Sequence, residues 1–350
     1  MSVKIKEEAL EPKRGVRPFD LEVVDLEKDR VTLRVTFQTQ NDDWRRDGIW
    51  GLRWNAGCAQ VGKIQHIGTQ KVVREFVPLR GNLKRGDMVR LDAFAFPDDP
   101  QEAFGLPTQK LVFSSPLGVF QGWFIPAHRN TWVIFVHGKR DHPPRKPLRA
   151  YPILPLFAKL GIPSMIITYR NDLGAPASQD GFHSYGQTEW KDLEGAAKYA
   201  LKHGAEKFIL VGYSMGGAIV MNFLYQSPLA KRVQGIILDS PMLDLNSTID
   251  FRARLLGLPD LVTDIGQFIA GIWSNIDWDD LNYLVRSSKL SAPILLFHGD
   301  ADRIVPAETS DALAKARPDI VSYHRVLGAT HIRSWNMNPI KYERAVRDFL

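Results

Sequence analysis

A serine between two glycines stands where the sequence changes from a strand pattern to a helix pattern. The pentapeptide from Gly212 to Gly216 reads GYSMG and has the form G-x-S-x-G. The apolar run FILV before it predicts a buried strand, and the apolar run AIVM after it predicts a helix. A sharp strand–turn–helix connection exposes the serine hydroxyl, and the glycines avoid steric collisions in that turn. This context favours Ser214 as a nucleophile over the alternative that the glycines only ease a strand–helix junction.

A serine nucleophile needs a base that a third group orients, and suitable residues follow Ser214 in the order carboxylate, then histidine. The predicted strand PILLF leads into HGDADRIVP, which contains Asp300 and Asp302. We expect Asp302 to be the acid, because Asp300 directly follows a glycine turn, where it would bond loop amides. Two alternatives remain: both aspartates are turn residues, or Asp239, at the end of QGIILD, is the acid.

His331 is the candidate base. It lies in a loop after the predicted strand VSYHRVLG, 29 positions after Asp302. His324 lies within that strand and His298 lies at a strand end, so we expect structural roles for both. The other histidines precede the serine, which is the wrong order for this arrangement. The alternative for His331 is an ordinary surface residue.

Acyl transfer also requires backbone amides that stabilise the tetrahedral oxyanion. The N–H of Met215, directly after the nucleophile, is one expected donor. The second is expected from the loop after the predicted strand TWVIFVHG, with the amide of Lys139 as first choice and that of Arg140 next. We expect His137 to shape this loop rather than to take part in catalysis.

The elements that position these residues alternate along the second part of the chain. A predicted hairpin, QKLVFSSPLGVFQGWFIP, comes first. Apolar strands then alternate with helical stretches, which predicts parallel β-α-β units and a mostly parallel sheet flanked by helices. We therefore predict an α/β catalytic domain over residues 106–350, with a helical cap inserted at about 242–290. The large apolar residues of that cap, which include Phe268 and Trp273, either wall a lipophilic pocket or pack the cap onto the body.

The first part of the chain has a different pattern. Segments such as RVTLRVTFQTQ alternate apolar and polar residues, and turn-rich pieces separate them, which predicts a β-rich module over residues 1–105. It contains no recognisable chemistry. Because a module of this size is only marginally stable alone, we expect it to dock on the catalytic domain.

Composition narrows the possible classes of function. The net charge of +6 comes from Lys and Arg residues spread along the chain, without a basic helical stripe, so we expect no nucleic-acid partner. No apolar run approaches a membrane span, and the charged start is unlike a signal peptide, so the expected location is cytoplasmic. Cys58 is the single cysteine, so no cysteine cluster for zinc exists. The serine chemistry needs neither metal nor organic cofactor.

Taken in order, the motifs VHG, GYSMGG, LDSP, HGDADRIVP and GATH resemble those of the α/β-hydrolase superfamily. The segment ITYRNDLGAPAS, followed by YGQTEWKDLEGAAKYA, is similar to the branch that contains prolyl-oligopeptidase-like hydrolases. The resemblance covers roughly residues 110–350 and leaves the N-terminal module out. It implies the α/β-hydrolase fold and a triad of Ser214, Asp302 and His331, in agreement with the reading of the residues.

The favoured function is therefore a carboxylesterase or lipase-like enzyme that acts on a small-molecule ester. The alternatives are a serine peptidase or amidase of the prolyl-oligopeptidase-like type and a non-catalytic protein on the same fold. One departure from the superfamily is the basic loop KRDHPPRKPLR. It either presents cations at the acyl or leaving-group side of the site or is a solvated polar loop.

Overall fold

Two β-sheets organise the computed structural model, which describes residues 18–39, 42–139, 148–259, 261, 263 and 278–350. The first sheet is a closed barrel of six strands, and the second is an eight-stranded sheet flanked by helices. The chain completes the barrel before it enters the larger sheet. The predicted division into a β-rich module and an α/β domain corresponds to these two sheets, and the exact boundary at residues 105 and 106 stays a prediction.

The barrel strands are joined in the order β1-β2-β5-β4-β3-β6, and β6 pairs with β1 to close the barrel. In chain order they are β1 (Leu21–Leu26), β2 (Arg30–Val35), β3 (Trp50–Trp54), β4 (Gly57–Ile67), β5 (Lys71–Arg80) and β6 (Met88–Asp92). Alternate residues point inward, so that Val31 and Leu33 of β2 are fully buried. Closure pairs the edge strands with each other and leaves no open edge for another chain to join.

The larger sheet has the order β14-β13-β12-β11-β9-β10-β8-β7. Its strands are β7 (Gln109–Ser115), β8 (Gly118–Ile125), β9 (Thr131–Val136), β10 (Ser164–Ile167), β11 (Lys207–Tyr213), β12 (Val233–Asp239), β13 (Ile294–Gly299) and β14 (Val321–Val326). Strands β9 to β14 run parallel, and the hairpin β7–β8 adds two antiparallel strands at one edge. The central strands read as continuous apolar runs because both of their faces are covered.

Helices cover both faces of this sheet. They are α1 (Pro100–Phe104), α2 (Leu154–Lys159), α3 (Trp190–Lys202), α4 (Met215–Gln226), α5 (Leu245–Leu255), α6 (Ala307–Ala316), α7 (Ser334–Met337) and α8 (Pro339–Phe349). One apolar cluster joins the sheet to α3 and α4, and a second joins its other face to α2 and α8. This is the α/β-hydrolase fold, as predicted from the sequence. Helix α2 does not begin before Leu154, because Pro152 and Pro155 fit only near the start of a helix.

The segment predicted as a cap, residues 242–290, contains α5 and two short 3₁₀ helices, Asp279–Leu281 and Tyr283–Lys289. Phe268 and Trp273 lie outside the described residues. Within the described part of the chain, no helix combines the length and apolar character that crossing a bilayer requires.

The barrel packs against the helical turn α7, next to the candidate base. The buried Asn336 side chain donates from Nδ2 to the carbonyl oxygens of Ile49 at 2.7 Å and Ala93 at 2.8 Å. The Ile49 N–H in turn donates to the Asn336 carbonyl oxygen at 2.9 Å. Apolar contacts continue the interface, with the Phe96 ring 5.8 Å from that of Trp335. The barrel is therefore docked on the α/β domain through hydrogen bonds and shared apolar packing.

A glycine at this interface provides a test of the docking. Gly48 has φ +106°, and a Cβ there would lie 2.2 Å from the carbonyl oxygen of Asn336. Gly86 of the same barrel has φ +90° and no atom near such a Cβ. Both Gly→Ala variants incur the strain of a positive φ, but only Gly48→Ala also clashes with backbone. We expect Gly48→Ala to lower the free energy of unfolding by about 1–3 kcal/mol more than Gly86→Ala does. Equal losses in chemical denaturation would contradict this interface.

Candidate active site

Ser214, His331 and Asp302 lie in one chain of hydrogen-bonding contacts. The Ser214 Oγ is 2.8 Å from His331 Nε2, and His331 Nδ1 is 2.7 Å from Asp302 Oδ2. The Asp302 side chain is fully buried, whereas the imidazole is partly exposed. The three residues predicted from the sequence are thus brought together in the geometry that transfers a proton from a serine hydroxyl to an oriented imidazole. Their catalytic role remains a prediction.

Ser214 lies at the sharp turn between β11 and α4. Its backbone has φ 51° and ψ −119°, a conformation that is strained for a residue with a side chain. A backbone hydrogen bond fixes this turn: the Ser214 N–H donates to the carbonyl oxygen of Asp239, at the end of β12, at 3.1 Å. A Cβ on Gly216 would lie 2.1 Å from the carbonyl oxygen of Val136, so a glycine is required for this close approach. This strained conformation places the Ser214 hydroxyl at the carboxyl ends of the parallel strands.

Asp302 lies in the loop after β13, where it orients His331 and is itself fixed. Its Oδ1 accepts hydrogen bonds from the N–H groups of Ile304 at 2.8 Å and Val305 at 3.0 Å. His298 Nε2 lies 3.2 Å from Asp302 Oδ2. Burial alone would raise the pKa of Asp302, but the charge of His331 and the hydrogen bonds of His298 and His331 outweigh burial and hold this pKa well below its ordinary value. Asp302 is therefore ionised and suited to stabilise an imidazolium.

The loop that carries His331 is held at several points. Ile332 has φ 51°, a strained conformation for a β-branched residue, and its N–H donates to Ser240 Oγ at 3.1 Å. Asp300 does not contact His331; its Oδ1 accepts from the N–H of Gly328 at 2.7 Å, as expected for a loop-bonding residue. The barrel contributes Arg46, whose Nη1 donates to the Gly328 carbonyl oxygen at 2.8 Å. Both domains thus fix this loop.

The predicted oxyanion loop lies directly over Ser214. A Cβ on Gly138 would lie 2.8 Å from Ser214 Cβ. The Gly138 carbonyl oxygen is directed at Tyr169 and His137: it accepts from Tyr169 Oη at 3.2 Å and lies 2.8 Å from His137 Nδ1. In a trans peptide the N–H points opposite to the carbonyl. The Lys139 amide therefore points away from Tyr169, and its role as an oxyanion donor stays a prediction. Arg140, the second choice, lies outside the described residues.

Two residues of this arrangement were assigned no role in the sequence analysis, although both lie in the segment ITYRNDLGAPAS that carries the resemblance. Tyr169 Oη also lies 3.0 Å from the His137 carbonyl oxygen, and its ring stacks on the His137 imidazole. Asp172 Oδ2 accepts from the Tyr169 N–H at 3.0 Å and lies 2.7 Å from His137 Nε2. Tyr169 and Asp172 thus hold the loop that presents Lys139. Met215, the other predicted donor, is the first residue of α4, so its N–H has no acceptor within the helix.

Asp239, the alternative acid, is not in hydrogen-bonding contact with His331 in this structure. Its Oδ1 accepts from Ser334 Oγ at 2.8 Å. Burial raises the pKa of Asp239 to about 6, although the hydrogen bond from Ser334 acts in the opposite direction. Asp302 rather than Asp239 is therefore the carboxylate in hydrogen-bonding contact with His331.

A cavity of about 640 Å³ opens above Ser214 and His331. One wall comes from α5, where Leu245 and Ile249 face the cavity, and another comes from the barrel, which contributes Asp43, Arg46 and Phe94. The volume is that of a site for a small organic molecule. The candidate nucleophile thus faces a space that both domains enclose.

Comparisons with known proteins agree with this architecture. Residues 173–276 match the family described as serine aminopeptidase, S33, and residues 22–92 match a domain family of unknown function, DUF8805. Among solved structures, the esterase Pf2001 of Pyrococcus furiosus is 19% identical, with a TM-score of 0.55, and the match covers 72% of this chain and 94% of that one. No curated protein sequence matches the chain.

The acylaminoacyl peptidase of Pyrococcus horikoshii is also similar. It is 15% identical, with a TM-score of 0.55, and the match covers 94% of this chain but only 62% of the peptidase. At such identities the likeness is one of fold. The chain therefore has the α/β-hydrolase fold, with a Ser-His-Asp arrangement at its candidate site. A β-barrel domain precedes the α/β domain along the chain.

The two neighbouring carboxylates provide a matched test of the acid. Asp302→Asn should lower kcat about 10³–10⁴-fold, because an amide at this position disfavours the His331 tautomer that accepts the serine proton. Asp300→Asn keeps an acceptor for Gly328 and should change kcat less than tenfold, with a stability loss of about 1 kcal/mol. Steady-state kinetics on both variants measure these effects, and thermal unfolding is the control for folding. A larger loss of kcat in Asp300→Asn than in Asp302→Asn would reassign the acid.

Tyr169→Phe tests the support of the oxyanion loop. Removing the hydroxyl takes away the donor that the carbonyl oxygens of residues 137 and 138 share, and so loosens the loop. We therefore expect kcat to fall about tenfold or more while KM changes little. Inhibition by a boronic acid, which forms a tetrahedral adduct, should weaken by a similar factor. A stability loss with unchanged kcat and unchanged inhibition would show that Tyr169 has only a structural role.

Asp239→Asn tests the raised pKa of this buried carboxyl. A folded-state pKa above the unfolded value means that stability is present at low pH and is lost as the pH rises from about 4 to about 6. The amide cannot ionise, so we expect the variant to gain stability relative to wild type over this window, by about 2–3 kcal/mol at neutral pH. The measurement is the free energy of unfolding of the variant minus that of the wild type, taken at about pH 4 and again at about pH 7. A difference that is the same at both values would contradict the raised pKa.

Proposed function

We propose that the protein is a serine hydrolase that cleaves carboxylic esters through an acyl-enzyme on Ser214. The observation that carries the proposal is the unbroken contact from Asp302 through His331 to the Ser214 hydroxyl, at the floor of the cavity. Neither alternative, a surface histidine or a serine that only forms a turn, requires these hydrogen-bonding contacts. The strained conformation of Ser214 also fits a functional residue.

The proposed reaction follows from these contacts. His331 Nε2 takes the proton of Ser214 Oγ as this oxygen attacks the ester carbonyl carbon. Asp302 stabilises the imidazolium, and the amides of Met215 and Lys139 bind the oxyanion. Collapse of the tetrahedral intermediate breaks the bond to the alcohol oxygen, which receives the proton from His331. A water molecule, deprotonated by His331, then attacks the carbonyl carbon of the acyl-enzyme. The bond to Ser214 Oγ breaks as this oxygen takes the proton back from His331, which releases the acid and regenerates the serine.

An ester is favoured over a peptide because of the wall next to the serine. Met242, Leu245 and Ile249 face the cavity and offer an apolar surface to an acyl chain. A serine peptidase is the second candidate, favoured by the barrel that contributes to the cavity wall and by the family match over residues 173–276. The cavity accommodates a small molecule or the end of a chain, and substrate profiling separates these two candidates.

The test combines labelling with substrate profiling. A fluorophosphonate probe should label the wild-type protein at Ser214, and the Ser214→Ala variant should remain folded without being labelled. We expect 4-nitrophenyl esters of different acyl lengths to be hydrolysed, and kcat to fall at least about 10³-fold in Ser214→Ala. Hydrolysis of peptides with no hydrolysis of esters would favour the peptidase. Wild-type turnover by Ser214→Ala would overturn both.

A further inference from the structure

A second histidine, His298 near the end of β13, contacts the same carboxylate oxygen as His331. Its Nε2 lies 3.2 Å from Asp302 Oδ2, the oxygen that is 2.7 Å from His331 Nδ1. The His298 side chain is completely buried, whereas that of His331 is partly exposed. Because His298 is closed off from the cavity, any effect that it has on the reaction passes through Asp302.

The surroundings of Nε2 determine where the His298 ring carries its hydrogen. Besides Asp302, Nε2 lies 3.2 Å from the carbonyl oxygen of Val305. A carbonyl oxygen and an ionised carboxylate can only accept hydrogen bonds, so Nε2 must be the protonated nitrogen. This N–H is therefore directed at the acid and at the backbone of the loop that carries the acid.

The other ring nitrogen of His298 is held by helix α6. Nδ1 lies 2.7 Å from the Oγ of Ser310, a residue that is fully buried. Among the described residues, this nitrogen is the one hydrogen-bond partner of the Ser310 side chain. A protonated Nδ1 would leave the buried hydroxyl hydrogen without an acceptor, which is unfavourable. The Ser310 hydroxyl therefore donates to Nδ1, and the imidazole of His298 is neutral.

A neutral donor orients Asp302 without cancelling its charge. In the proposed reaction, that charge stabilises the imidazolium that forms on His331. A cation at His298 would bind the same oxygen and weaken this stabilisation, whereas a neutral N–H only restricts rotation of the carboxylate. Asp239, the other buried carboxyl of this region, accepts from Ser334.

We infer that His298 and Ser310 are positioning residues for the proposed hydrolysis. The Ser310 hydroxyl fixes the neutral form of His298 with its hydrogen on Nε2, and this N–H orients Asp302 toward His331. The inference rests on the proposed reaction at Ser214 and extends its chain of contacts by two residues into the core. This is a larger role for His298 than the structural one expected from its place at a strand end.

Two substitutions of His298 test the role of its N–H. His298→Leu removes both ring nitrogens, whereas His298→Gln offers an amide N–H in place of the one on Nε2. With a 4-nitrophenyl ester, we expect kcat to fall about tenfold or more in His298→Leu at nearly unchanged KM, because the carboxylate is misplaced, and to recover most of its value in His298→Gln. Equal kcat in these two variants, with thermal unfolding as the control for folding, would overturn the inference.

His324 provides the matched control for the loss of an imidazole. It lies on the neighbouring strand β14, is exposed, and stacks on Phe297 with 5.1 Å between ring centroids. We expect His324→Leu to keep the wild-type kcat. A loss of kcat as large as that of His298→Leu would show a general effect of the sheet and would overturn the inference.

Two neighbouring hydroxyls on α6 provide a second pair of variants, which decides the question if the His298 variants do not fold. Thr309 is also buried, but its Oγ1 donates to the Pro306 carbonyl oxygen at 2.9 Å and has no contact with the triad. We expect Ser310→Ala and Thr309→Val to lower the unfolding temperature similarly, and only Ser310→Ala to lower kcat, by several-fold. A wild-type kcat in Ser310→Ala, or equal losses of kcat in both, would overturn the inference.

A spectroscopic measurement separates failure of this inference from failure of the proposed function. Proton–nitrogen NMR spectra of protein with ¹⁵N-labelled histidine, with the His298 signals assigned through His298→Gln, should show a hydrogen on Nε2 and none on Nδ1 at neutral pH. The His331 Nδ1 proton, which points at Asp302, should exchange faster with water in Ser310→Ala. These results would support the positioning role even if no ester were hydrolysed. A hydrogen on His298 Nδ1, or unchanged exchange, would overturn the role, while fluorophosphonate labelling of Ser214 judges the proposed function.

Discussion

His331 has to contact two partners at once, and the positions of both partners determine where much of the structure must lie. Ser214 follows β11 and Asp302 follows β13, so one strand separates them in the sheet, at about 10 Å between strand axes. An imidazole with a hydrogen bond on each side spans this gap only if its own loop is held rigidly over the strand ends. The strained Ile332, the hydrogen bond from its N–H to Ser240 Oγ and the hydrogen bond from the Gly328 N–H to Asp300 Oδ1 hold the loop there.

The barrel belongs to this arrangement because it supports the same loop from the opposite side. Arg46 bonds the Gly328 carbonyl before His331, and the side chain of Asn336 after it bonds two barrel carbonyls. The same barrel forms a wall of the cavity through Asp43 and Phe94. A domain without recognisable chemistry of its own thus contributes to the position of the candidate base and to the space that a substrate would enter.

The sequence was informative where local pattern and chemistry coincide. The alternation of apolar strands with helices predicted β9 to β14, and the order of Ser214, Asp302 and His331 followed from motifs at strand ends. It was uninformative about contacts between distant segments, such as Tyr169 with the loop of Gly138, which form because β9 and β10 are neighbours in the sheet. The local pattern also predicted too long a strand. The alternation of apolar and polar residues continues to Phe37, but β2 ends at Val35 and Phe37 is 96% exposed. Barrel closure depends on pairing between non-consecutive strands, which periodicity does not encode.

The central claim is that Ser214 becomes acylated with His331 as its base, and mass spectrometry of rapidly quenched reactions tests it most directly. The protein is mixed with a 4-nitrophenyl ester, quenched in acid within the first turnovers and digested. We predict an acyl group on the peptide that contains Ser214, released on longer incubation and absent from both Ser214→Ala and His331→Ala. An acyl group on another residue, or hydrolysis at the wild-type rate in His331→Ala, would contradict the account.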